Sequence, residues 1–161
     1  MSSDRISRRA ILLALGVLGA CGFTPALAPG GTMAGLRGRV AVVTPDTIPG
    51  FAIRDRLIAR LGPAAQPTAT LTVSLDQALD VAALSQAGDA LRYNVVGAAG
   101  WQLVATDGSR LGGGQVDGFA SYAATGSTVA TQAAATDAVG RLMVILADKI
   151  VAQITMADPA R

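Results

Sequence analysis

The chain has 161 residues, enough for one domain with a sizeable core, and is 51% apolar and only 15% charged. It contains no histidine, no glutamate and one cysteine, which excludes Ser-His-Asp and Cys-His nucleophilic sites, histidine-ligated metal, Cys-only zinc and an internal disulfide. The net charge of +2 resides in the first twenty residues, where Arg5, Arg8 and Arg9 outnumber Asp4; the remainder balances ten basic against ten acidic side chains, so no nucleic-acid partner is expected.

The N-terminus, "MSSDRISRRAILLALGVLGAC", has the layout of a bacterial export signal. Three arginines precede a short apolar run over residues 10–18, and Gly19-Ala20 supply small residues for cleavage. The run is too short to span a bilayer, which takes about 20 apolar residues. Ser7-Arg8-Arg9 also suits a twin-arginine signal, so both export routes stay open. Leu18-Gly19-Ala20-Cys21 resembles the lipobox of bacterial lipoproteins, where the peptidase cuts before the cysteine. The expectation is that residues 1–20 are removed and that Cys21 carries a covalent diacylglycerol and an N-acyl chain, with no other cofactor. Each buried CH2 contributes about 0.8 kcal/mol, so several chains make a lasting membrane anchor. By analogy with that class, Gly22 in place of Asp favours the outer membrane. Residues 21–35 read as a tether, because Pro25, Pro29, Gly30 and Gly31 oppose helix and strand. Its reach is at most about 50 Å.

The domain proper is expected over residues 36–157. "LRGRVAVVTP" predicts a first strand ended by Pro45. Asp46 or Thr47 can cap a following helix, Pro49 suits its first turn and Gly62-Pro63 stops it. Ile53, Leu57 and Leu61 recur every four residues, which predicts one buried face. Residues 69–83 alternate: Ala69, Leu71, Val73, Leu75, Leu79 and Val81 on one side, Thr70, Thr72, Ser74, Asp76 and Asp80 on the other, with Gln77 the single break. That predicts a long strand with one dry and one polar face. Tyr93, Val95, Ala99, Trp101 and Leu103 give a third strand, "DGS" at 107–109 a turn, and residues 110–122 a fourth strand. Gly112, Gly113 and Gly114 predict a bulge or sharp twist there. A final helix is capped by Ser127 or Thr128 and carries the stripe Ala135, Val139, Leu142, Leu146, Ile150 and Ile154. The order β-α-β-β-β-α predicts an α+β two-layer sandwich: a mainly antiparallel four-stranded sheet with both helices on its dry face.

Catalytic chemistry finds little support. Asp76 and Asp80 share a strand face about 13 Å apart, too far for a glycosidase pair at roughly 5–9.5 Å. The glycine triplet lacks the Lys-Ser/Thr of a phosphate loop. Arg37, Arg39, Arg92 and Arg110 lie at strand starts; they read either as ordinary surface charge or as a site for lipid phosphate, which guanidinium forks suit.

Three stretches carry a resemblance: "CGFTP" at 21–25, "LRYNVVGAAGWQLVATDGSRLGGGQVDGFASY" at 91–122 and "TDAVGRLMVILADKIVAQI" at 136–154. Together they resemble the LptE family of lipopolysaccharide-assembly lipoproteins, in its alphaproteobacterial form. The chain departs from that pattern at Leu27, where an aromatic is common, and at Ala134 and Ala135, where acidic residues are common. The resemblance implies a non-enzymatic outer-membrane lipoprotein that plugs and helps assemble an LptD-type β-barrel and assists lipopolysaccharide insertion. The domain would then sit on the periplasmic side or in the barrel lumen. A lumen is polar, so the face carrying Thr70, Thr72 and Ser74 is the expected barrel contact. Two other readings stand beside it: another small outer-membrane lipoprotein, such as an auxiliary lipid-transport component, and a lipid-anchored hydrolase.

Overall fold

The computed structural model describes residues 35–156 apart from 85, 87, 89 and 125. The leader, Cys21 and nearly all of the tether therefore lie outside the described residues. The elements run β1 (Val40–Val43), α1 (Ile48–Leu61), β2 (Ala69–Leu84), β3 (Ala90–Ala105), β4 (Arg110–Ala123) and α2 (Thr128–Met156). They form one four-stranded sheet in the order β1-β2-β3-β4. β1 runs parallel to β2, and β2, β3 and β4 form an antiparallel meander. The predicted α+β sandwich, with two helices packing on the sheet, is the observed fold.

Local chemistry explains the boundaries. Leu36 to Gly38 form a turn before β1, whose Gly38 takes φ 71° and donates its N–H to the Leu61 carbonyl at 2.8 Å. The first strand is thus shorter than its apolar run suggested. Thr47 caps α1, its Oγ1 accepting from the Gly50 N–H at 3.2 Å. Gly50 is required there, because a Cβ would fall 2.0 Å from the Pro45 carbonyl oxygen. Gly62, at φ 85°, ends the helix and donates to the Ile58 carbonyl.

The core lies between the sheet and the helices. Ile53 and Leu57 of α1, Leu71 of β2, Ala99 of β3 and Leu142, Leu146 and Ile150 of α2 are all fully buried. α1 packs on α2 and β1, while α2 covers β4 and β3. Arg56 and Arg60 of α1 both reach Asp148 of α2, at 2.7 and 3.1 Å. The Arg56 hydrogen bond acts most strongly on the Asp148 carboxyl and, joined by the charges of both arginines, holds it below its ordinary range although desolvation raises it.

Two glycine pairs let large side chains settle on the sheet. Gly97 and Gly118 face each other across β3 and β4. A Cβ at Gly97 would lie 3.0 Å from Leu142 Cδ2, and one at Gly118 would lie 3.1 Å from Ile145 Cγ2. Gly112 and Gly114 lie under the Trp101 indole, whose ring atoms would be 3.3 and 3.2 Å from added Cβ atoms. The predicted irregularity is present as a register shift between Leu103 and Val104. The glycines themselves serve as a bed for the tryptophan, whose Nε1 donates to Gln153 Oε1 at 2.6 Å.

One expectation needs correction. Alternation along β2 predicts a dry face over the whole strand, but only Ala69, Leu71 and Val73 are buried and Leu75 is half-buried. Leu79 and Val81 are 58% and 48% exposed. The reason is length: α1 has 14 residues and β1 has 4, whereas β2 has 16. The first two elements run out before the strand does.

A candidate interface on the open sheet face

The sheet's second face carries no helix. Strand pleating sends Thr70, Thr72, Ser74, Asp76 and Asp80 of β2 to this side. By register, Asn94 and Gln102 of β3 join them, with Gln115, Asp117 and Ser121 of β4. Thr72 and Ser74 are exposed and Thr70 is half-buried. The Ser74 hydroxyl donates to the Gly100 carbonyl at 3.4 Å, and Ser121 Oγ donates to Asn94 Oδ1 at 2.6 Å. These bonds tie neighbouring strands together; midway along, the same face also carries Val96, Ala98 and Phe119, the last 60% exposed, beside Asp76 and Asp117.

Thr72, Ser74, Gln102, Arg110 and Gln115 surround a shallow groove of about 610 Å3. Arg110 arrives there because the register shift sets it opposite Val104. Its guanidinium lies over Gly113, where an added Cβ would meet Nη2 at 2.5 Å. The sequence offered Arg110 and the Thr72/Ser74 face as separate candidates; the fold joins them.

The other arginines do not gather at this groove. Arg37 and Arg39 precede β1 at the same end of the sheet, on its far edge. Arg92 pairs with Ala123 and Ala83 at the opposite end, about 40 Å along the strand from the level of Arg110. None of the four makes an ion pair among the described residues. Asp76 and Asp80 are both exposed, and no cluster of three metal-ligating side chains occurs among the described residues. No described helix is long and apolar enough to cross a membrane.

Solved structures share this arrangement. A candidate lipoprotein of Caulobacter crescentus superposes with a TM-score of 0.66 at 18% identity, covering 82% of this chain and 98% of the other. Rare lipoprotein B of Shewanella oneidensis gives 0.56 at 13% identity, covering 73% and 94%. An uncharacterized lipoprotein B of Nitrosomonas europaea gives 0.56 at 14%, covering 76% and 84%. At these identities the likeness concerns the fold. No curated protein matches the sequence. The family model for LptE, lipopolysaccharide-assembly, matches residues 39–154, from the residue before β1 almost to the end of α2. With all four strands, the first helix and nearly all of the second inside that match, the chain belongs to the LptE family of lipopolysaccharide-assembly lipoproteins.

Proposed function

We propose that this chain is the lipid-anchored LptE component of an outer-membrane lipopolysaccharide translocon, where it plugs and helps assemble an LptD-type β-barrel. Its role is assembly and support rather than catalysis, in keeping with the family. The observation that carries the reading is the uncovered sheet face. Two helices cover much of one side of the sheet, while the other offers mainly Thr, Ser, Asn, Gln and Asp side chains, with Phe119 a large exposed apolar residue among them. A water-lined lumen suits such a face, whereas a lipid surface would select apolar side chains. The lipidated N-terminus at Cys21 and the tether of residues 21–35 would hold the domain at the membrane while it sits in the lumen or on the periplasmic side. The "CGFTP" start and the Arg92-Tyr93-Asn94 strand further favour the alphaproteobacterial form of the family.

Within this reading Arg110, at the groove with Thr72 and Ser74, is best placed for a lipopolysaccharide phosphate. Arg37 and Arg39 stand at the same end of the sheet, and Arg92 serves a separate contact. Co-purification from detergent tests the barrel assignment. Wild-type chain should recover an LptD-type barrel in stoichiometric amount, and the double change Thr72→Arg, Ser74→Arg should remove it while the domain stays folded. Undiminished recovery with the variant would show that the barrel meets another surface. Recovery of a lipid transporter instead of a barrel by wild type would favour the auxiliary-lipoprotein reading.

A further inference from the structure

The two edges of the sheet are treated differently. In the β3–β4 ladder the even residues of β4 face β3, so its odd residues point their backbone groups outward. Along that outer edge runs a stripe of α2. Arg141 Nη2 donates to the Ser121 carbonyl at 3.0 Å, Lys149 Nζ to the Asp117 carbonyl at 2.6 Å and Gln153 Nε2 to the Gln115 carbonyl at 3.1 Å. The donors sit at four- and eight-residue spacings on one helix face, and the intervening position, Ile145, packs near Gly118. This edge is closed to an incoming strand, as sheet edges in monomeric proteins commonly are.

The other edge is not closed. β1 pairs only with Ala69 to Thr72 of β2. Thr68 accepts from Thr106 of the β3 side, so the even residues of β2 face β3 and Leu75, Gln77, Leu79 and Val81 turn their N–H and C=O groups outward. Among the described residues nothing bonds to them. The side chains of the same four residues turn to the helix side, where Leu79 borders a groove of about 360 Å3 with Val95, Tyr122, Ala135 and Val139. On the opposite face the same edge carries Asp76 and Asp80, with Asp117 two strands away at the level of Asp76. Arg92, two residues along β3 from Asn94, the partner of Asp80, pairs with neither β2 carboxylate among the described residues.

We propose that the outer edge of β2 from Leu75 to Val81 is a docking site for an extended segment of another protein. That segment continues the sheet where β1 stops, placing apolar side chains towards Leu79 and the α2 groove and basic side chains towards Asp76 and Asp80. The pairing is β-augmentation: backbone bonds supply affinity and the two faces supply specificity. A second copy of this chain fits poorly. Antiparallel self-pairing centred on Ala78 sets Asp76 of each copy against Asp80 of the other, and neighbouring registers keep four carboxylates on one face. The chain's own residues 21–34 fit poorly too, since they include Pro25 and Pro29 and no basic residue. The site touches the open face proposed for the barrel contact only through Asp76 and Asp80, further along β2 than Thr70, Thr72 and Ser74, and its backbone pairing lies at the strand edge.

The test is amide hydrogen exchange on the full-length chain in detergent, with and without a capped ten-residue peptide alternating Lys and Val. The amides of Leu75, Gln77, Leu79 and Val81 should exchange quickly alone and become protected by the peptide, with the β3–β4 amides unchanged. A Glu/Val peptide should bind at least about tenfold more weakly, and Asp76→Asn with Asp80→Asn should erase that preference. Leu79→Pro removes one outward N–H while leaving the β3 ladder intact, and should abolish protection without loss of thermal stability. Equal binding of both peptides, or unchanged exchange with the Lys/Val peptide, would overturn the proposal. So would protection already present without peptide: if it fades on dilution the occupant is a second copy, and if it persists the occupant is the chain's own N-terminal segment.

Discussion

Gly97 and Gly140 show how one substitution takes opposite signs in one fold. At Gly97 a methyl group meets Leu142 Cδ2 at 3.0 Å and the Asp76 carbonyl oxygen at 3.1 Å. The leucine is fully buried and the carbonyl is backbone, so neither has room to retreat. Gly97→Ala should therefore destabilise the domain by about 1–3 kcal/mol. Gly140 lies inside α2 with nothing within 4 Å of an added Cβ. There alanine should stabilise by about 0.5–1 kcal/mol, because glycine loses more backbone entropy in a helix interior. Urea denaturation of the two variants checks both signs at once. The small residues of β3 and β4 are thus matched individually to the side chains above them, as Trp101 over Gly112 and Gly114 also shows.

Between elements, the junction of α1 and α2 depends on one carboxylate. Asp148 accepts from Arg56 through both oxygens, at 3.1 and 2.7 Å, and also pairs with Arg60. Because the folded state lowers the Asp148 pKa, the carboxylate contributes stability above its unfolded value. That contribution is lost as pH falls through the lower folded value. Asp148→Asn should melt below wild type at neutral pH, with the gap closing as pH falls below about 4. A gap that stays constant down to strongly acid pH would assign the loss to packing instead. The side chains involved are about one-third exposed, 35% for Arg56 and 33% for Asp148, so solvent screening keeps the effect modest.

Over the whole molecule, the sandwich is complete at one end and open at the other. α1 and β1 finish the helix layer and the sheet near the start of β2, and beyond them the β2–β3 hairpin extends past their cover. Function at this scale depends on where the domain is held. Cys21→Ser should abolish acyl labelling and leave the leader uncleaved, detected by radiolabelled palmitate and by mass. On the proposed reading, in which a lipid anchor confines the domain near an LptD-type barrel, the same change should also reduce recovery of that barrel. Wild-type chain that is cleaved but carries no lipid would remove the anchor from this account.

The sequence by itself determined the element order, the buried face of α1, the stripe from Leu142 to Ile154 on α2, the meander and the family, since each follows from short-range signals. That α2 also buries Ala138, Met143, Ala147 and Val151 depends on its packing against both α1 and the sheet. Thr47 beside Pro49, Gly62 after Leu61, the strict alternation from Ala69 and the Asp107-Gly108 turn are local facts of chain chemistry. The proposed lipobox at Leu18-Gly19-Ala20-Cys21 is likewise a reading of residue order alone. Tertiary structure decided what periodicity cannot measure, namely which faces another element reaches. Alternation in β2 marks Leu79 and Val81 as apolar, but only the short span of α1 and β1 leaves them uncovered. A count of residues between arginines cannot show that Arg110 lines one groove with Thr72 and Ser74 while Arg92 lies at the far end, because a register shift in β4 and the antiparallel turns set those positions. The closed edge of β4 is likewise absent from any local pattern. It exists because α2 lies antiparallel to that strand, at a distance where Arg141, Lys149 and Gln153 meet its carbonyls.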